Sequence, residues 1–197
     1  MKEIPYKIVK FLLYIYYGIC YRPTYIGREN IPKSGGVVLA GTHTSKTDIL
    51  ILGASTKRMV NFLGKIELFK GPGKWFMPLM GVIPVDRSKK NQDSLSVAIS
   101  ELKAGKLIGI FPEGTINRTD DIIKRPFKYG AVKMAYESNS PIVPFAIVGK
   151  VKPFRRSWKI IFGSPYKVSS DLEKENTKLE NTVIELIRSD ENGRKTH

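Results

Sequence analysis

At 197 residues, 42% of them hydrophobic, the chain suits one domain with a sizeable core. Its 33 Lys and Arg against 18 Asp and Glu leave a formal charge of +15, which points to an anionic partner: nucleic acid, acidic protein, phosphorylated metabolite or anionic membrane. A single cysteine, Cys20, excludes an intrachain disulfide, and the scarcity of Cys and His argues against a structural zinc site. Residues Phe11 to Tyr21 are uncharged and flanked by Lys7, Lys10, Arg22 and Arg28. The run falls short of the roughly 20 residues a spanning helix needs, and no small-residue cleavage site follows it. Tyrosines interleaved with aliphatics and edged by basic residues suit a membrane interface, so residues 1–24 are expected to form an N-terminal interfacial helix. The alternative is a helix packed on its own domain.

Gly36 to Gly41 reads as a buried strand, and Ile49 to Leu52 as the start of a buried helix. Met59–Leu63 is expected to be a second strand, and Trp75–Met80 a short apolar helix or loop after the Gly71-Pro72-Gly73 break. Gly81–Val85 is expected to be a strand in which Pro84 is tolerated only near an edge or end. Leu95, Ala98, Ile99 and Leu102 mark one face of a helix over Asn91–Ala104, with Gly105 closing it. Leu107–Phe111 follows as a strand, Tyr129–Ser138 as a helix, and Pro141–Val148 and Trp158–Phe162 as strands. A last amphipathic helix starts near Ser169 or Ser170. This alternation predicts an α/β domain over residues 25–190, with a mostly parallel sheet flanked by helices, before a polar tail at 191–197.

Three junctions carry candidate chemistry. His43 lies between strand and helix, five residues before Asp48. On one helix those side chains would point roughly 140° apart, so they meet only if the histidine precedes the helix and the chain turns back. The carboxylate would then fix the tautomer of the ring and make its other nitrogen a better base. A helix-capping region, with Ser45 or Thr47 as N-cap, is the alternative reading. Asp86-Arg87-Ser88 and Pro112-Glu113-Gly114-Thr115 follow two other strands, where ligand crevices of open α/β sheets form. The planar fork of Arg87 suits a phosphate, although it could simply pair with Asp86. Pro112 and Gly114 equally suit a plain turn.

His43-x-x-x-x-Asp48, Gly81-Val82-Ile83-Pro84-Val85-Asp86-Arg87, Phe111-Pro112-Glu113-Gly114-Thr115 and Ile142-Val143-Pro144-Phe145 together resemble the four ordered blocks of the glycerolipid acyltransferases, nearest to the lysophosphatidic acid acyltransferase branch. The resemblance covers about residues 25–165. It implies that His43 is the general base that deprotonates an acceptor hydroxyl and that Asp48 orients it. The hydroxyl then attacks an acyl thioester directly, with no acyl-enzyme, no metal and no cofactor beyond the donor, acyl-CoA or acyl carrier protein. No Gly-x-Ser-x-Gly elbow is present to supply a serine nucleophile. The second and third blocks imply acceptor-phosphate binding by Arg87 and by Glu113, Gly114 and Thr115. Gly81, Ile83 and Pro144 are assigned by resemblance to acyl-donor binding and loop packing. The family's third block usually continues with Arg, whereas Ile116 follows Thr115 here. Arg118, Lys65 or Lys128 would then complete the phosphate site, or the acceptor is another lysolipid.

The expected product is phosphatidic acid, made at the cytoplasmic face of the cell membrane from a lysophospholipid acceptor. Lys150, Lys152, Arg155, Arg156 and Lys159, with Phe154 and Trp158 among them, add a basic aromatic stretch. It suits anionic headgroups, an acidic carrier protein or the phosphates of coenzyme A, and otherwise reads as a solvated loop. A thioesterase or lipid hydrolase, in which water replaces the acceptor, is the first rival. A basic binding module for anionic ligands is the second, although no RNA-binding motif or helix-turn-helix cue supports nucleic acid as a partner.

Overall fold

The computed structural model describes residues 23–45, 47–85, 92–119, 122–149 and 158–195, together with residues 8, 11, 12, 15, 16, 19, 20 and 154. The described residues of the N-terminal stretch are helical. After them come β1 (Thr24–Ile26), β2 (Val37–Gly41), α1 (Asp48–Ala54), β3 (Val60–Lys65), α2 (Gly73–Leu79) and β4 (Val82–Val85). The chain continues as α3 (Gln92–Lys103), β5 (Leu107–Ile110), α4 (Gly130–Ser138), β6 (Ile142–Gly149), β7 (Trp158–Phe162) and α5 (Leu172–Lys195). Short 3₁₀ turns at Arg28–Asn30 and Ile66–Phe69 follow β1 and β3.

The strands form one sheet in the order β1-β7-β6-β2-β5-β3-β4. Every pairing is parallel except β6 with β7, so the expected mostly parallel α/β architecture is present. All five residues of β2 are buried, because helices cover both sheet faces. Val37 and Leu39 point to the face packed by Ile51 and Leu52 of α1, whereas Val38 and Ala40 point to the face packed by α3, α4 and α5.

The breakers sit where the ladder tolerates them. Pro84 is on the exposed side of the edge strand β4, as expected. Pro144 lies in the interior strand β6, opposite an interruption in its pairing with β7. There residues 163–165 face residues 143–144, and Gly163 N–H donates to the Pro144 carbonyl at 2.8 Å. Two features lay beyond the sequence pattern: the three-residue strand β1, and the antiparallel entry of β7. The segment expected as a short helix or loop is α2, which begins at Gly73 and leaves Trp75 and Phe76 exposed.

The parallel register brings the carboxyl ends of β2, β5, β3 and β4 to one edge of the sheet. Gly41 closes β2 there, tight against β6: an added Cβ would collide with the carbonyl and ring of Phe145. We therefore expect Gly41→Ala to lower the unfolding free energy by about 1–3 kcal/mol. Urea denaturation measures this, and an unchanged midpoint would contradict the packing described.

Candidate active site

β2 ends at Gly41, and Thr42 locks the exit: its Oγ1 accepts the Ile147 N–H from β6 at 2.9 Å. The next residues turn so that His43 precedes α1 and Asp48 opens it. His43 Nδ1 and Asp48 Oδ2 are 2.9 Å apart. The same Oδ2 accepts the Thr44 N–H at 2.6 Å and the Ser45 N–H at 2.8 Å. Asp48 is 0% exposed, so these donors replace the water a buried carboxylate would otherwise lack. With both backbone donors aimed at Oδ2, that oxygen is an acceptor, which favours the neutral tautomer protonated on Nδ1 and bare at Nε2. The capping alternative holds in part: Ser45 Oγ accepts the Thr47 N–H at 3.3 Å. Thr47 occupies the N-cap position but makes no side-chain cap bond. Ser45 Oγ also meets Thr47 Oγ1 at 2.9 Å.

The loop after β5 closes over this dyad. Phe111 stacks on the His43 ring, with centroids 4.0 Å apart and planes 13° off parallel. Asn117 N–H donates to the His43 carbonyl at 2.6 Å, and Asn117 Oδ1 accepts from Thr119 N and Oγ1. Arg118 follows as an exposed residue directly after this tie, which sets the loop path left open by Ile116. The role of Phe111 was missed. Its aromatic character was legible, but its pairing with His43 depends on two strands lying side by side.

Glu113 is 1% exposed, and its Oε2 accepts the Lys124 N–H at 2.9 Å. Through this oxygen it anchors the backbone of the following loop. Gly114 has φ 69°, and a Cβ there would meet Lys128 Nζ at 2.9 Å, so the ammonium lies over this glycine. Lys128 is held in turn by its own N–H, which donates to the Pro112 carbonyl at 3.0 Å. α5 braces this loop: Glu180 Oε2 accepts the Phe127 N–H at 2.7 Å, and Asn176 Nδ2 donates to the Phe127 carbonyl at 2.8 Å.

The structure thus gathers His43, Asp48, Glu113, Gly114, Thr115, Arg118 and Lys128 around one junction. Lys65 ends β3 at the same sheet edge and is exposed. Gly81 does not join them, because it precedes β4 at the opposite edge. Ile83 is within that strand and packs toward the α3 side of the core, while Pro144 is buried in β6. Arg87, with Asp86 and Ser88, lies outside the described residues. In the basic stretch Lys159 is held by Asp190 at 2.6 Å, and Lys150, Lys152, Arg155 and Arg156 lie outside the described residues. Among the described residues no group of His, Cys, Asp and Glu could hold a metal ion, and no helix is long and apolar enough to cross a membrane.

Comparison with known proteins bears on this site. Residues 22–148 match the protein family described as Acyltransferase. A 1-acyl-sn-glycerol-3-phosphate acyltransferase of Bacillus subtilis is 35% identical over 146 residues, which cover 70% of this chain and 70% of that one. The protein of the same name from Borreliella burgdorferi is 37% identical, over 72% of this chain and 56% of its own length. The crystal structure of the 1-acyl-sn-glycerophosphate (LPA) acyltransferase PlsC from Thermotoga maritima superposes with a TM-score of 0.67. It is 25% identical, and the match covers 84% of this chain and 71% of that chain.

Burial raises the pKa of Glu113 above the ordinary carboxylate range, and the backbone donors of Lys124 and Arg125 and nearby His43 pull it partly back. The folded chain therefore binds this proton more tightly than the unfolded chain does. The cost of ionising Glu113 is absent below the unfolded value and grows as pH rises through the raised folded value. Replacement by Gln removes that cost and keeps an acceptor. As pH rises from about 4, the unfolded carboxylate range, through the raised folded value, the stability of Glu113→Gln relative to wild type should shift in favour of the variant. Denaturation midpoints at several pH values measure it; a shift toward the wild type would contradict the assigned burial.

Proposed function

The chain belongs to the acyltransferase family, and we propose that it transfers a fatty acyl group from an acyl thioester to the free hydroxyl of lysophosphatidic acid, giving phosphatidic acid. The observation that carries this reading is the buried Asp48 carboxylate holding His43 by Nδ1. Nε2 takes the proton of the acceptor hydroxyl as its oxygen attacks the thioester carbonyl. The new C–O bond forms, the C–S bond breaks, and the imidazolium returns the proton to the departing thiolate. No acyl-enzyme intervenes. Phe111 keeps the ring in plane against solvent, and Asp48 steadies the imidazolium charge.

Arg87, Arg118, Lys128 and Lys65 bind the acceptor phosphate in this reading, with the Gly114-Thr115 backbone beside it. The position of Lys128 over Gly114 supports its part. Glu113 is a positioning residue that fixes the Lys124–Arg125 backbone. Gly81, Ile83 and Pro144 contribute through packing of the strands that carry the loops. The donor is acyl-CoA or acyl carrier protein, and residues 25–190 are the catalytic unit. The N-terminal helix rests on the cytoplasmic face of an anionic membrane. Its described residues Ile8, Phe11, Leu12, Ile15, Tyr16 and Ile19 are all exposed and recur at helical spacing, which supports that role.

The test is transfer from radiolabelled acyl thioester to lysophosphatidic acid, with phosphatidic acid and free fatty acid separated. Wild type should form labelled phosphatidic acid, and His43→Ala should lower turnover about a thousandfold. Free fatty acid released without need of acceptor would overturn the transferase assignment in favour of a hydrolase. Arg87→Ala should raise KM for the phosphorylated acceptor and leave KM for the thioester unchanged. An effect confined to the thioester would remove Arg87 from the phosphate site.

A further inference from the structure

Ile66 and Leu68, in the 3₁₀ turn after β3, and Trp75 and Phe76, on α2, stand 45%, 51%, 77% and 52% exposed. They form one local unit. Gly73, which opens α2, is so close to the Leu68 carbonyl that an added Cβ would collide with it, and Gly73 N–H donates to the Lys70 carbonyl at 3.2 Å. The unit leaves the sheet directly from Lys65, at the edge that carries His43. Lys65, Lys70 and Lys74 are interspersed with the apolar side chains and are themselves exposed, against one acidic residue, Glu67. Neither aromatic residue has a part in the core, which explains no preference for Trp at the most exposed of these positions.

We propose that residues 65–76 form a membrane-contacting wedge, which inserts Trp75, Phe76, Leu68 and Ile66 into an anionic bilayer while Lys70 and Lys74 meet the headgroups. Trp belongs at the apolar–polar boundary of a bilayer, and lysine stems reach from apolar depth to anionic phosphate. The wedge is distinct in sequence from the N-terminal stretch and leaves the sheet at the end that carries His43, so it seats that end of the sheet against the lipid surface. This rests on the lysophospholipid reading, for which the acceptor resides in a bilayer.

The chain has two tryptophans, and the other, Trp158, is 1% exposed, so Trp75 is a native reporter. The full chain is titrated with vesicles containing anionic phospholipid with brominated acyl chains. Tryptophan emission should shift to the blue and be quenched, and the quenching should vanish in Trp75→Phe, which still co-sediments with the vesicles. The pair Trp75→Ser with Phe76→Ser should weaken vesicle partitioning about tenfold or more. The same pair should leave transfer to a dispersed short-chain lysophosphatidate unchanged. Unquenched Trp75 emission in co-sedimenting protein overturns the wedge. Loss of self-association in the Ser pair without loss of partitioning also overturns it, and assigns the patch to a second copy. Acyl transfer in detergent with no vesicle-induced quenching removes the wedge and keeps the enzyme; quenching without transfer to any lysophosphatidate removes the enzyme reading and keeps the wedge.

Discussion

One buried oxygen organises the junction: Oδ2 of Asp48. It collects His43 Nδ1–H and the N–H groups of Thr44 and Ser45, while Asp48 opens α1 and has no exposed surface. A buried carboxylate without such donors is costly, and a buried carboxylate with them is a rigid reference point. The turn between β2 and α1 is therefore specified by the same bonds that orient the imidazole. The geometry of the His43–Asp48 pair and the local fold are one structure, with Thr42 tying its start to β6.

The rest of the molecule brings other loops to that point. Parallel pairing of β2, β5 and β3 places their carboxyl ends together, and the β5 loop lays Phe111 on His43 and returns Asn117 to the His43 carbonyl. Glu113 then spends its carboxylate on the backbone of the following loop, which carries Lys128 back over Gly114. A loop rich in turn residues gains order from a buried carboxyl group at one end and from α5 at the other.

Much of this was legible from residue order. The strands β2 to β6, the helices between them and the strand-to-helix position of His43 follow from apolar runs and breakers, because central parallel strands are buried on both faces. The fold-back of Asp48 was legible as a necessity of angle, but its burial was not. That depends on backbone donors from Thr44 and Ser45, which spacing does not reveal. Phe111 was hidden because contacts between adjacent strands arise from a sheet order that runs against sequence order. The burial of Glu113 was hidden, since a charged residue in a turn reads as exposed until its partners are known. Lys159 sits in a basic stretch, yet belongs to a pair with Asp190. Gly81 reads like its block neighbours, and only the strand direction separates it from the site.

The most direct test of the dyad is the tautomer of His43. The chain has two histidines, His43 and His197, so ¹⁵N labelling with long-range ¹H–¹⁵N correlation resolves the His43 ring. The neutral ring should carry its proton on Nδ1 and leave Nε2 bare. In Asp48→Asn that preference should be lost. A neutral His43 protonated on Nε2 in the wild-type protein would contradict the account, because the nitrogen assigned as base would then have no lone pair to accept a proton.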